Sequence, residues 1–124
     1  MKIIMEEAAE YLKRGQRFLI TAHVNPDGDA LGSALGLQAY LRHQGKAAEV
    51  LIDDDLSRYL SFMPGFSDIR RSDGGDRKPD FLVVLDTDAS RIGEVAKCAP
   101  GAKILNIDHH ISNDKKAEDR KAHV

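Results

Sequence analysis

One imidazole and two carboxylates, His23, Asp27 and Asp29, stand close together in the stretch Thr21-Ala-His-Val-Asn-Pro-Asp-Gly-Asp-Ala-Leu-Gly-Ser33. They fall where the apolar run Arg17-Phe-Leu-Ile-Thr-Ala22 gives way to Pro26, Gly28 and then a helical pattern. Two later fragments have the same form, an apolar run ending in acid: Phe81-Leu-Val-Val-Leu-Asp86 and Ile104-Leu-Asn-Ile-Asp108-His109-His110. Imidazole and carboxylate are the donors that cations such as Mg²⁺ and Mn²⁺ select over sulfur. Two such ions can charge-balance a phosphoryl group and activate water, with a carboxylate bridging them.

Each fragment also has a plainer reading. Asp27-Gly28-Asp29 could be a turn and helix start, with Asp29 satisfying free backbone N–H groups. Asp86 could likewise be a cap. Adjacent imidazoles at a strand terminus gain little by packing, so His109-His110 is harder to explain that way. Three acid-bearing strand ends together favour a shared site. Elsewhere, His43 and His123 sit in polar contexts and read as surface residues, and Asp53-Asp54-Asp55 could invite a cation but reads first as a solvated acidic turn. Ser33 has no base at a recognisable spacing, and Gly28, Gly32 and Gly36 are not followed by the Gly-Lys-Ser/Thr of a P-loop.

The elements that must position these groups follow from periodicity. Residues 3–14 place Ile4, Ala8, Tyr11 and Leu12 on one helical face, with Gly15 as a C-terminal cap. Residues 17–22 read as a strand buried on both faces. Ala30 to Gln44 is helical, and Glu49 to Ile52 is a second strand. Ser57 opens a short helix through Met63, and Asp68 to Arg71 suggests a small strand. Residues 72–79 have loop composition. Phe81 to Leu85 is a third strand, 89–97 hold a turn of helix, and Lys103 to Ile107 is a fourth strand. Strand and helix alternating with short connections predict a doubly wound α/β fold, a parallel sheet with helices on both faces.

With 124 residues the chain suits one modest domain. Eighteen Lys/Arg against 20 Asp/Glu give a net charge of −2, which supplies no strong electrostatic patch for nucleic acid. The lone Cys98 rules out an intrachain disulfide and a thiolate zinc site. No apolar window reaches the ~18 residues of a membrane span, and no secretory signal opens the chain, so the cytoplasm is the expected location.

Taken together, His23-Val-Asn-Pro-Asp-Gly-Asp-Ala-Leu-Gly-Ser33, Leu85-Asp-Thr-Asp88 with Arg91-Ile-Gly93, and Asp108-His-His-Ile-Ser-Asn113 resemble the first three motifs of the DHH phosphoesterases. Asn25-Pro26 and Ser112 resemble the nanoRNase/pAp phosphatase branch, which combines oligoribonuclease and 3′-phosphoadenosine 5′-phosphate (pAp) phosphatase activity. The resemblance implies a binuclear Mn²⁺ centre, with Mg²⁺ as the alternative ion. His23 and Asp27 would hold one ion, Asp29 and His109 the other, and Asp86 would bridge them. His110 would face the substrate phosphate and Asp108 would orient the imidazoles. Arg91 would support the loop or meet substrate.

The family also has a further aspartate ligand beyond the third motif and a C-terminal substrate-binding domain with a glycine-rich, histidine-bearing motif. The sequence shows neither, and Asp114 and Asp119 lie in a charged stretch. The expected organisation is therefore a partial DHH domain over 1–113, a charged tail over 114–124 that is frayed helix or disordered, and no C-terminal domain. The expected function is hydrolysis of short oligoribonucleotides or pAp by a truncated catalytic lobe. Two rivals stand beside it: an inactive fragment or metal- and nucleotide-binding remnant, and a phosphodiesterase acting on cyclic dinucleotides. The expected partner is a short RNA or nucleotide, with no membrane, and a homodimer is left open.

Overall fold

A computed structural model describes residues 5–23, 26–56, 58–85, 92–107 and 121–123. Helix α1 (Met5–Arg14) carries Glu6 and Glu7 in its first turn and Lys13 and Arg14 in its last, which complements the helix dipole. It ends where Gly15 N donates to Tyr11 O at 3.1 Å. Strand β1 (Arg17–Ala22) is buried from Phe18 onward, so it has no polar alternation. Helix α2 (Gly28–His43) follows, then strand β2 (Ala47–Val50).

The segment after β2 differs from the sequence expectation in detail. β2 begins at Ala47 rather than Glu49, because Ala48 and Val50 turn inward while Ala47 faces solvent. The small strand expected at 68–71 is a single bridge, Leu51 to Arg70. The short helix expected from Ser57 is a 3-10 turn at Arg58–Leu60, followed by another at Phe66–Asp68. Strand β3 (Phe81–Leu85), a 3-10 helix (Gly93–Cys98) and strand β4 (Lys103–Ile107) fall where the apolar runs put them. Within the stretch expected to be frayed or disordered, Lys121–His123 forms strand β5 instead. It pairs with Ile104–Asn106 at the sheet edge, where backbone hydrogen bonding alone can hold a strand that lacks an apolar pattern.

The sheet is parallel throughout, in the order β2-β1-β3-β4-β5. On one face Phe18, Ile20, Val83 and Leu85 pack under α2 through Leu31, Ala34, Leu35 and Leu41. α1 joins that side, with Ala8 against Leu105. On the other face Leu19, Leu82, Val84 and Ile104 are covered by Leu51 and by Ile92, Val95 and Cys98 around the 3-10 helix. The doubly wound arrangement is as expected. No helix among the described residues is long and apolar enough to cross a membrane.

The start of β3 fixes the junction between α1 and β1. Asp80 accepts N–H bonds from Gln16 at 2.7 Å and Arg17 at 3.0 Å, which hold its carboxyl below the usual carboxylate range. Beside it Gly15 is closely enclosed: a Cβ there would sit 2.6 Å from Phe18 and 2.8 Å from Phe81. Gly15→Ala is therefore expected to cost about 2 kcal/mol through overpacking and to lower the thermal midpoint by roughly 8 °C. Because the folded-state pKa of Asp80 is lowered, its stabilisation is present above the ordinary carboxylate pKa and is lost as pH falls through the folded value. The stability gap between the wild type and Asp80→Ala, measured by denaturant titration, should be full at pH 6 and close in strong acid.

Candidate functional site

The chain runs from β1 to β2 on one side and then returns to place β3 on the other side of β1. The strand order reverses there, and in open parallel sheets such a reversal leaves a crevice outside the carboxyl ends of the strands. The pairing makes those ends level: Ala22 lies opposite Leu85, and Leu85 opposite Ile107. Chain connectivity makes His23, Asp86 and Asp108 the residues that follow these three aligned positions.

His23 leaves β1 half-buried at this end. Asp27 is the N-cap of α2, with extended backbone, and its Oδ1 accepts the N–H of Ala30 at 2.8 Å. The capping residue is thus Asp27, where the plainer sequence reading gave that part to Asp29. Asp29 lies in the first helical turn and is exposed. Capping engages one oxygen of Asp27, and a carboxylate has lone pairs on both oxygens, so the cap leaves capacity for a cation. Asp86, Arg91, Asp108, His109 and His110, and with them Asp114 and Asp119, lie outside the described residues. Among the described residues no group of three or more His, Cys, Asp and Glu is gathered closely enough to hold a metal ion.

The donors that are described nonetheless suit a hard or borderline cation. They are one imidazole just after β1 and two carboxylates at the start of α2. The sole thiol, Cys98, is buried in the core of the opposite face, with Ser72 Oγ 3.5 Å from its sulfur.

Three supporting residues escaped the sequence reading. Asn106 is fully buried and donates from Nδ2 to Val84 O at 3.1 Å, which ties β4 to β3 just short of their ends. Its signal was a lone amide inside the run Ile104-Leu-Asn-Ile107. Asp53, read as part of a solvated turn, is partly buried and accepts the N–H of Glu94 at 2.9 Å. Arg77 donates to Asp73 and to Glu49 of β2, which pins a segment that otherwise has loop composition. The guanidinium draws the Asp73 carboxyl down to about 2. The bonds of Asp53 to Glu94 and of Arg77 to Glu49 have no local signature, because each joins residues distant in sequence, whereas Asp73 stands only four positions from Arg77.

With this geometry established, the chain can be set beside known proteins. Residues 17–124 match the DHH family N-terminal domain, and the chain belongs to that family. It is 34% identical over 112 residues to the bifunctional oligoribonuclease and PAP phosphatase NrnA of Thermus thermophilus, covering 90% of this chain and 33% of that protein. The protein of the same name from Bacillus subtilis is 28% identical over 96 residues, 77% of this chain and 30% of the relative. A crystal structure of an exopolyphosphatase-related protein from Bacteroides fragilis superposes with a TM-score of 0.79 at 30% identity, over 96% of this chain and 37% of that one. The chain thus spans about a third of the length of the relatives it matches.

The capping role of Asp27 can be measured apart from any ligand. Asp27→Ala is expected to destabilise the fold by about 1 kcal/mol, and Asp27→Ser, which keeps an acceptor at the cap, by only a few tenths. Urea denaturation in the presence of a chelator reads both, and equal losses would show that the cap contributes nothing.

Proposed function

We propose that the chain forms the metal-binding part of a phosphoesterase that hydrolyses short oligoribonucleotides or pAp in the cytoplasm. The observation that carries this reading is the level ending of β1, β3 and β4 at the point where the strand order reverses. His23 leaves β1 there, and Asp27 and Asp29 stand at the start of α2. The names of the T. thermophilus and B. subtilis relatives support the substrate class.

In this proposal His23, Asp27, Asp29, Asp86 and His109 would together hold two divalent ions, Mn²⁺ by preference. A pair of divalent ions bound there supplies positive charge to the phosphoryl oxygens and acidifies a water. The residues of the chain do the remainder. Asp27 keeps its ligand oxygen in place because its cap to Ala30 locks the side chain. Asp108 holds the imidazoles in the orientation that binding requires, a task for which ligand histidines commonly use a carboxylate partner. His110 would face the phosphate of the substrate. Arg91 would support the loop or meet the substrate.

Phosphate release from pAp with Mn²⁺ tests the centre directly, comparing the wild type with Asp86→Asn. Loss of a direct ligand should reduce the rate by more than the about 10- to 100-fold typical of losing an outer partner of a metal ligand. Equal rates in the two proteins would overturn the proposal. Mn²⁺ binding without turnover would favour the rival reading of a metal-binding remnant.

A further inference from the structure

Helix α2 opens on two carboxylates of the proposed metal centre, and part of the segment that follows β2 runs beside it. A Cβ on Gly28 would stand 3.8 Å from Leu60 Cδ2, and one on Gly32 would stand 3.2 Å from Met63 Cε. Further along, a Cβ on Gly65 would lie 3.3 Å from Leu35 Cδ2. Residues 60–65 therefore follow α2 in its own direction, starting at its first turn.

This segment is firmly seated. Leu60 is buried, and Met63, Phe66 and Ile69 pack against the core under α2. Backbone bonds close the chain on both sides of Phe62. Ser61 N donates to Arg58 O at 3.0 Å, Met63 N to Leu60 O at 3.1 Å, and Phe66 N to Met63 O at 3.0 Å. Phe62 goes the other way: it is 77% exposed. The apolar burial that stabilises the segment comes from its neighbours, and the Phe62 ring adds little to it.

The place of that ring gives it a use. Phe62 lies between the two residues that meet Gly28 and Gly32, and these glycines are only about 6 Å apart along the helix axis. The same two turns carry Asp29, and Asp27 caps them. One sugar separates the phosphate of a nucleotide from its base. A phosphate held at the start of α2 thus leaves the base within reach of the adjoining segment. An aromatic face stacks on any nucleobase, because every base has a π-face of its own.

We infer that Phe62 is a specificity-determining residue: its exposed ring stacks on the base of a nucleotide whose phosphate is held at the start of α2. The site then selects phosphates that carry a base, with little regard to which base it is. The inference rests on the metal-centre reading of the preceding subsection.

Isothermal titration of the whole chain in Mn²⁺ tests it by binding alone, with circular dichroism as a check on folding. The two ligands are adenosine 5′-monophosphate and ribose 5-phosphate, which has the same phosphate and sugar but no base. The wild type should bind the nucleotide about tenfold more tightly than the sugar phosphate. Phe62→Ala should abolish that preference by weakening the nucleotide alone. Phe62→Leu keeps apolar bulk without a π-face and should behave as Phe62→Ala does, and it carries the test if Phe62→Ala does not fold. Phe62→Trp should keep the preference. Tyr40→Ala removes another exposed ring of α2, about 18 Å further along the axis than Gly28, and should bind both ligands as the wild type does. A folded Phe62→Ala or Phe62→Leu that retains the preference overturns the inference and leaves the metal centre standing. Equal affinity of the wild type for the two ligands does the same. A wild type that binds neither ligand overturns the metal-centre reading, and the role of Phe62 with it.

Discussion

The level pairing of three parallel strands is the constraint on which the rest of this protein depends. Ala22, Leu85 and Ile107 lie opposite one another. Side chains alternate faces along a strand, so a slip of one residue in either pairing would exchange the two cores and displace a strand end. Both faces resist such a slip, because β1 and β3 are buried on each side by different apolar sets. The hydrogen bond from Asn106 to Val84 adds a polar lock near the ends themselves. A buried amide that left this partner would lose a bond it cannot replace with water, so the lock favours one register over its neighbours.

Around that edge the chain places its charges economically. The N-terminus of α2 carries positive potential and free N–H groups, and Asp27 and Asp29 sit there as stabilising acids before any question of ligand arises. The proposed metal centre would give the same carboxylates a second use. The two uses are compatible because a cap occupies one lone pair of a group that has several. The acid after β2 shows the same economy: Asp53 accepts the N–H of Glu94 in the first turn of the 3-10 helix Gly93–Cys98.

Much of this was legible in the sequence, and the limits of legibility have a physical pattern. β1, β3 and β4 are uninterrupted apolar runs, each bounded by a turn and an acid, so their extent could be read directly. β2 was misplaced by two residues because it is an outer strand, paired with β1 on one side, and its exposure alternates. β5 left no trace in the sequence, since Lys121–His123 is held by backbone pairing at an edge. In the site, the acid and imidazole types and their strand ends were apparent. The division of labour between Asp27 and Asp29 was not, because both satisfy the rules for a helix start and only backbone geometry separates them. Asp53 was misread for a different reason: its partner is 41 positions away, and no local pattern announces a bond of that range.

The order of the strands also governs how the molecule is assembled. Neighbours β1 and β2 are joined through α2, with Arg17 opposite Ala47, and β3 and β4 through a shorter connection, with Phe81 opposite Lys103. The β1–β3 pair, Phe18 with Phe81, closes the longest loop in the sheet. Each doubling of loop length adds about 0.6 kcal/mol of closure entropy, and non-local pairing of this kind slows folding. A chain that has formed both halves still has no crevice, because the seam between them is the crevice. The step that completes the fold is also the one that brings together the strand ends on which the proposed site depends.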